Sequence, residues 1–414
     1  MRRAVVTGLG ALTPLGNDIK SYWDGLISGK SGAAPITYFD TTNFKTQFAC
    51  EVKNFDPSQH FDRRESKRLD PYMQYGLVAG SQAMEDSGID VEKINLDRAG
   101  VIWASGIGGL RTLEDEVGAF ATGNGMPRYN PFLVPKMIAD GAGNTLSIKY
   151  GFRGISYATV SACASSTNAI SIALDYIRMN KADIFIAGGS EATICPTGVG
   201  GFNAMKAMST RNDSPETASR PFDAERDGFV LGEGAGALVI EEYEHARKRG
   251  ATIYAELCGS AMTSDAYHIT APHPEGRGAA AVMDLAVKDA QMNPESMSYV
   301  NVHGTSTPLG DVAEIKAIQK VFGDHAYNMN IGSTKSMTGH LLGAAGAIEA
   351  IAAILSTKYN IVPPTINHFT DDPDIDSKLN LTFNSAQERE INVALSNTFG
   401  FGGHNASVIF SKLK

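Results

Sequence analysis

The sequence predicts an α/β protein built from two similar halves, and three observations carry that prediction. Short runs rich in β-branched residues alternate with longer stretches whose apolar residues recur at helical spacing. Glycine is abundant, 43 of 414 residues, which implies many tight turns and close backbone approaches between the elements. The alternation of strand and helix restarts from Ala251 in a similar order, so the chain divides into residues 1–250 and 251–414. Strands separated by helices imply parallel sheets covered by helices.

In chain order, Met1 to Gly10 enters a strand at once. Its Gly8 and Gly10 lack the third glycine of a dinucleotide-binding turn, because Thr13 stands there, so they read as a turn at the strand's end. Ile19 to Gly29 reads as a short helix carrying Tyr22, Trp23, Leu26 and Ile27, and residues 30–60 are loop-rich. A helix is expected over Phe61 to Ile89, then a strand over Ala99 to Ser105 that ends in the bend Gly106-Ile-Gly-Gly109. The stretch from Gly123 to Pro135 is irregular. Ile155 to Ser161 reads as a buried strand and Cys163 to Asn180 as a helix apolar almost all round, which describes a helix inside the domain. Asp183 to Gly188 is a strand, Arg211 to Arg226 a polar loop, Gly228 to Glu242 a glycine-rich hairpin, and Glu242 to Arg249 a helix stopped by Gly250. The second half reads as strand (Ile253 to Gly259), helix (Ala279 to Met292), strand (Tyr299 to His303), helix (Asp311 to Phe322) and strand (Asn330 to Ser333). A helix from Gly339 to Tyr359 and two terminal strands, Glu390 to Ser396 and Asn405 to Lys412, complete it.

Composition narrows the function. Hydrophobic content of 43% with 20% charged residues fits an ordinary globular chain. A net charge of -9 argues against general affinity for nucleic acid or membrane. The four cysteines, Cys50, Cys163, Cys195 and Cys258, are far apart and form no CxxC pair, so no disulfide framework or zinc site is indicated and a reducing cytoplasm is expected. No targeting segment is read at the N-terminus.

Four segments carry polar groups at the ends of apolar elements. Cys163 stands where a strand turns into a central helix, a place where free N–H groups and the helix dipole favour thiolate. Tyr299-Val-Asn-Val-His303-Gly-Thr-Ser-Thr-Pro-Leu-Gly-Asp311 puts a histidine at a glycine turn. Gly332-Ser-Thr-Lys335-Ser-Met-Thr-Gly-His340 puts another at the start of a small-residue helix, and Asn397-Thr-Phe-Gly-Phe-Gly-Gly-His-Asn405 is a glycine-dense loop between strands. Lone histidines are more often satisfied structural residues, as expected for His60, His245 and His325. Two at element ends within glycine turns, beside a helix-capped cysteine, are harder to dismiss as structural.

Together these segments resemble the β-ketoacyl-[acyl-carrier-protein] synthases, and most closely the elongating type II group of bacterial fatty-acid synthesis. The resemblance runs from Thr7-Gly-Leu-Gly to the C-terminus. It implies a thiolase-like fold, with duplicated βαβαβαββ halves in a five-layered α-β-α-β-α core, usually a homodimer. It implies a decarboxylating Claisen condensation in which Cys163 takes an acyl group from acyl carrier protein. The backbone N–H groups of Cys163 and Phe401 would form an oxyanion hole, and His303 and His340 would donate hydrogen bonds to the malonyl thioester oxygen. Lys335 and Glu349 would support the histidines, Thr305 and Thr307 would contact the pantetheine arm, Phe401 would act as a gate, and Ile107 and Phe202 would shape the acyl pocket. No cofactor and no catalytic metal are expected. Some family members hold a structural monovalent cation near positions matching Asn301, Glu349, Ser396 and Asn397. An acidic carrier protein would need a basic patch on this acidic chain, with Arg63, Arg64, Lys67, Arg68, Arg128 and Lys206 as candidates.

Rival readings are weaker. A thiolase needs a second cysteine in the C-terminal glycine loop, and Gly400 to Asn405 contains none. The non-catalytic partner subunits of polyketide systems have lost the nucleophile that stands here as Cys163. A ketosynthase of a dedicated polyketide or polyene pathway would run the same chemistry on a different chain and stays open, as, more remotely, does a malonyl decarboxylase.

Overall fold

The computed structural model describes residues 1–413. Each half follows the same order of elements. The first has β1 (Ala4–Leu12), α1 (Pro71–Ser87), β2 (Ala99–Ala104), α2 (Gly141–Tyr150), β3 (Ser156–Thr159), α3 (Ser165–Arg178), β4 (Ile184–Glu191) and β5 (Gly234–Glu242). The second has β6 (Ala255–Ser264), α4 (Arg277–Asp289), β7 (Tyr299–Asn301), α5 (Pro308–Phe322), β8 (Asn330–Gly332), α6 (Ala345–Tyr359), β9 (Val393–Gly400) and β10 (His404–Ser411). Both are βαβαβαββ. Strand order across the sheet is β3-β2-β4-β5-β1 in the first and β8-β7-β9-β10-β6 in the second, the same permutation twice. The expected parallel pairing holds for three strands of each half. β3, β2 and β4 run parallel, as do β8, β7 and β9, but β5 runs antiparallel to both β4 and β1, and β10 antiparallel to both β9 and β6. The two sheets join through a three-residue ladder between β1 and β6.

Three apolar clusters separate the layers. Tyr72, Leu77 and Leu146 from α1 and α2 pack on Val101, Trp103 and Val239 of the first sheet. Ile170 and Leu174 of α3 meet Ile348 and Ile351 of α6 between the sheets, against Leu238 on one side and Phe410 on the other. Val282, Met283, Ile315 and Ile318 of α4 and α5 cover Val300, Leu395 and Ile409 outside the second sheet. The stack is therefore α-β-α-β-α. From Ala345 to Thr357 every residue of α6 is buried, so it presents no solvent face. Truncating a residue such as Ile351 to alanine there would cost about 2–5 kcal/mol.

Several local expectations change. β1 continues through Gly8 and Gly10 to Leu12, all of it buried, instead of turning at the glycines. A Cβ at either position would collide with the Ala83 or Ala79 carbonyl of α1, so the two glycines seat that helix on the strand. The helix expected over Phe61 to Ile89 is broken. A one-turn helix (Arg63–Ser66) ends before Asp70, whose side chain caps α1 through the Tyr72 N–H at 3.0 Å, and Pro71 takes the first turn. The Gly228 to Glu242 hairpin is a single strand, β5, and its ladder partners are β1 and β4. Residues before it make isolated bridges, among them Leu231 with His340. The helix expected from Gly339 begins at Ala345, because Gly339 and Leu342 both take positive φ (68° and 47°) and break the α-helical path. β3 is an edge strand, with Tyr157 36% and neighbouring Val160 60% exposed, and not a buried one. Two helices lie outside the expected elements: Gly141–Tyr150, whose small and polar residues show no apolar period, and Leu110–Thr122, although Leu110, Leu113, Val117 and Phe120 recur there at helical spacing.

No helix among the described residues is long and apolar enough to cross a membrane.

Candidate active site

The duplication places the key side chains. Cys163 lies between β3 and α3, and His340 lies between β8 and α6, the corresponding junction of the other half. Because α3 and α6 pack face to face in the middle layer, the two junctions meet at one end of it. His303 follows β7, as Ile107 follows β2, again at matching positions.

Around Cys163 the chain makes a sharp elbow. Ala162 has φ 51°, a left-handed conformation costing a residue with a Cβ about 1–2 kcal/mol. Three hydrogen bonds hold it. Ser165 Oγ donates to the Ala162 carbonyl at 2.6 Å and accepts from the Ser161 N–H at 2.8 Å, while Asn168 Nδ2 donates to Ser161 Oγ at 2.6 Å. The elbow raises the thiol two residues ahead of α3 and points it across to His340, with Nε2 2.9 Å from Sγ. His303 stands nearly perpendicular to His340, ring centres 5.3 Å apart, and one ligating atom from each of Cys163, His303 and His340 lies within 4.8 Å of the others. Such a cluster can surround a single substrate carbonyl, and its donor types would also suit a metal ion.

The electrostatics correct the expected thiolate. Burial pushes the Cys163 thiol up to about 12, against the opposing pull of the Lys335 charge and the Phe401 N–H. Burial, then the Lys335 charge, holds both imidazoles well below their ordinary value, with His340 adding to the effect on His303. The resting pair is thus a neutral thiol beside a neutral imidazole. Nδ1 of each histidine has no hydrogen-bond partner among the described residues.

Lys335 and Glu349 form a buried ion pair beneath the histidines, not a solvent-facing one, with side chains 1% and 0% exposed. Burial pushes Glu349 up to about 7, opposed by Lys335. The cation expectation can be tested on free oxygens. Glu349 Oε1 faces Lys335 Nζ, whereas Glu349 Oε2, Asn301 Oδ1 and Ser396 Oγ are buried with no hydrogen-bond partner among the described residues. Asn397 Oδ1 is already engaged, accepting from Ser407 Oγ at 2.6 Å. Three of the four expected residues therefore present a free oxygen, and the set fits a hard cation.

The cluster opens into a cavity of about 590 Å³ lined by Cys163, His303, His340, Thr305, Thr307, Ile107, Phe202 and Phe401. Thr305 and Thr307 hydroxyls are 3.0 Å apart along its wall. Phe401 is half-buried, and the next residue, Gly402, donates its N–H to the Ile269 carbonyl at 2.7 Å, tying the glycine loop to residues 265–273. Of the six candidate patch residues, Lys206 lines the cavity; Arg63, Arg64, Lys67, Arg68 and Arg128 are exposed elsewhere, with Arg68 over the Phe132 ring at 4.9 Å. None of the six takes part in a salt bridge among the described residues. His60 stacks on Phe55, His245 binds Glu241 and His325 binds the Met297 carbonyl, as expected of structural histidines.

Sequence reasoning missed two buried glutamates. Glu314 on α5 accepts the His303 and Gly304 N–H groups at 2.9 and 2.8 Å. Glu191, at the end of β4, accepts from Ser105, Gly106, Ile107 and Gly343. The available signal was a glutamate closing the otherwise apolar and small-residue strand Ile-Phe-Ile-Ala-Gly-Gly-Ser-Glu191.

Comparison with known proteins places these features. Residues 1–246 match the N-terminal domain of beta-ketoacyl synthases and residues 254–369 the C-terminal domain. The chain is 48% identical over 413 residues to 3-oxoacyl-[acyl-carrier-protein] synthase 2 of Synechocystis sp., covering 99% of this chain and 98% of that one. It is 47% identical over 412 residues to the enzyme of that name from Coxiella burnetii, covering 100% and 99%. Among solved structures, a beta-ketoacyl synthase from Burkholderia phymatum superposes with a TM-score of 0.92 at 35% identity over the full length of both chains. A type II polyketide ketosynthase complex with its acyl-carrier protein, AntDE:AntF, gives 0.90 at 36%, again over both full chains. With both domains matched in order across most of its length, this chain belongs to the β-ketoacyl synthase family.

Proposed function

We propose that this protein is an elongating β-ketoacyl-[acyl-carrier-protein] synthase of fatty-acid synthesis, an acyltransferase that joins malonyl-carrier protein to an acyl group held on Cys163. The observation that carries the residue roles is the 2.9 Å approach of His340 Nε2 to Cys163 Sγ, with His303 beside them in one cavity. Residues 1–250 would supply the nucleophile and residues 251–414 both histidines.

The first half-reaction begins from the neutral pair. Sγ attacks the thioester carbonyl of the acyl-carrier protein as its proton passes to an imidazole, the C–S bond to pantetheine breaks, and the pantetheine thiol leaves with the proton. The Cys163 and Phe401 N–H groups would hold the transient oxyanion. In the second, malonyl-carrier protein loses CO2, and the electron pair of the broken C–C bond passes to the thioester as an enolate. His303 and His340 would donate to the enolate oxygen. Two neutral N–H donors suit that task, whereas a carboxylate would repel the charge. The enolate carbon then attacks the acyl-Cys163 carbonyl, and the C–S bond to Cys163 breaks to release the thiol after reprotonation. Lys335 and Glu349 would fix the field and orientation around the histidines, Thr305 and Thr307 would guide the pantetheine arm, and Phe401 would cover the cysteine between half-reactions. No step requires a cofactor. A cation near Asn301, Glu349 and Ser396 would be structural.

Acyl carrier protein is the partner, and a homodimer is the assembly. The exposed edge of β3, with Tyr157 and Val160, and the exposed Phe120, Met126, Val134 and Ile138 nearby in the chain support the second statement. A cytoplasmic location fits the cysteine usage. The polyketide alternative is favoured by structural neighbours such as the ishigamide ketosynthase/chain length factor, TM-score 0.93, but at 32% identity against 47–48% for the curated fatty-acid synthases.

The test is intact-protein mass after mixing with acyl-carrier proteins of graded chain length, for wild type and Cys163→Ala. Mass gains equal to each acyl group, absent in the variant, support the reading. No gain with any primer would sink it, and decarboxylation of malonyl-carrier protein alone would then be measured.

A further inference from the structure

Glu191 does no chemistry in the reading above, yet it is fully buried and heavily bonded. Its Oε1 accepts from Ser105 Oγ at 3.0 Å and the Ile107 N–H at 3.2 Å, and its Oε2 accepts from the Gly106 N–H at 2.7 Å and the Gly343 N–H at 2.9 Å. These donors come from two separate loops. One carries Ile107 at the mouth of the cavity, and the other follows His340 by three residues. The loops touch backbone to backbone: a Cβ on Gly343 would overlap the Gly106 nitrogen, and one on Gly106 would stand 2.9 Å from Glu191 Oε2. Ser105 Oγ also accepts the Gly108 N–H at 2.9 Å, so the whole Gly106–Gly108 bend hangs from this group. No cation pairs with Glu191 among the described residues, so these four donors are what compensate its charge. Glu314 performs a related task for one loop, at His303 and Gly304; Glu191 spans two.

We infer that Glu191 is a positioning residue that couples the acyl-pocket mouth to His340. A chain that displaces Ile107 moves the Gly106 and Ile107 amides against the shared carboxylate, and the Gly343 amide, with the His340 loop behind it, follows. Occupancy of the acyl pocket thereby reaches the histidine used in the next half-reaction. The inference rests on the proposed condensing activity.

Glu191→Gln keeps the side chain's size but turns one oxygen into an amide that cannot accept these N–H groups. Two readouts in the full-length enzyme separate positioning from plain destabilisation: acylation kcat/KM for long against short primers, and kcat for decarboxylation of malonyl-carrier protein. The long-to-short ratio should rise about threefold as the mouth loop is freed, and decarboxylation kcat should fall about fivefold with KM unchanged. Ile107→Ala should alter decarboxylation in wild type and have no further effect in the Glu191→Gln background. An equal loss for every primer and for decarboxylation, or independent effects of the two substitutions, would overturn the inference. If Glu191→Gln does not fold, Ser105→Ala removes a mouth-loop tie and leaves the Gly343 bond. It must still raise the long-to-short ratio, and an unchanged ratio overturns the inference too. Failure of the underlying activity is a different result, since wild type would then gain no acyl mass at all.

Discussion

His340 Nε2 lies 2.9 Å from Cys163 Sγ although 177 residues separate them, because each sits where the third strand of its half runs into the central helix. Cys163 and His340 thus occupy pseudo-equivalent positions of a duplicated chain. Their shared burial leaves both neutral, which ties the chemistry to proton transfer within the pair.

Lys335 and Glu349 should behave as a unit. Lys335→Met leaves a buried carboxylate without its counter-charge and should cost about 3–5 kcal/mol, read as a fall in thermal midpoint. Lys335→Met with Glu349→Gln should recover part of that loss. A double variant as unstable as the sum of the two singles would show that the pair contributes no mutual stabilisation.

Ile107 stands 42% exposed at the cavity mouth on a loop held from below. Ile107→Phe should suppress acylation by long primers about tenfold more than by short ones, measured as the ratio of kcat/KM values. Equal losses at all lengths would remove Ile107 from the acyl path.

Phe401 contributes a ring to the cavity wall and a backbone N–H that faces the Cys163 sulfur. Phe401→Ala deletes only the ring. Alkylation of Cys163 by iodoacetamide should quicken about tenfold, while acylation kcat changes less than the roughly 10²–10³-fold expected for a lost oxyanion donor. An unchanged alkylation rate would argue that the ring does not gate the thiol.

Reversing the charge at Lys67 and Arg68 should raise KM for carrier-bound substrate roughly tenfold at low salt, with the effect shrinking as salt rises. The structure leaves both exposed and without salt-bridge partners among the described residues. A KM that stays constant would place carrier docking elsewhere.

Stability should peak on the acid side of neutrality. Burial lifts Glu191, Glu233, Glu314 and Glu349 from an ordinary 4.5 to about 7, so their folded forms hold protons more tightly and stability is lost as pH rises through that window. His303 and His340 are held well below 6.5, so their contribution is full above 6.5 and is lost as pH falls beneath it. Among these six groups the two sets oppose each other between 4.5 and 6.5, the glutamates alone change above 6.5, and the histidines alone change below 4.5. Thermal midpoints should therefore pass through a maximum at about pH 4.5–6.5 and fall towards pH 7. Glu233→Gln, which lies outside the cavity lining, should flatten the alkaline limb. A midpoint that climbs steadily from acid to alkaline pH would contradict this.

Local pattern makes much of this protein legible. The strand-helix alternation exposes the duplication, because a buried strand and a buried helix each need their own apolar period. The motifs around Cys163, His303 and His340 announce the chemistry because polar groups at glycine turns stand out against apolar runs. What local pattern cannot reveal depends on neighbours distant in sequence. Gly8 and Gly10 look like a turn, and only the helix packed on them explains why they lie inside a strand. The Gly228 to Glu242 stretch looks like a hairpin because nothing within it names β1 and β4 as its partners. The thiolate expected at a helix N-terminus gives way to a neutral thiol, since desolvation depends on how much protein surrounds the sulfur, and residues from both halves supply it.

By itself, then, the sequence determined the restart of the strand–helix alternation from Ala251, the family, and Cys163, His303 and His340 as the candidate side chains, all of which are carried by side-chain type and short-range motif spacing. The tertiary structure decided the protonation of those side chains, the burial of the Lys335–Glu349 pair and the tie that Glu191 makes between two loops. Each of these is set by burial and by hydrogen bonds between segments distant in the chain, which come into being only when the halves pack together.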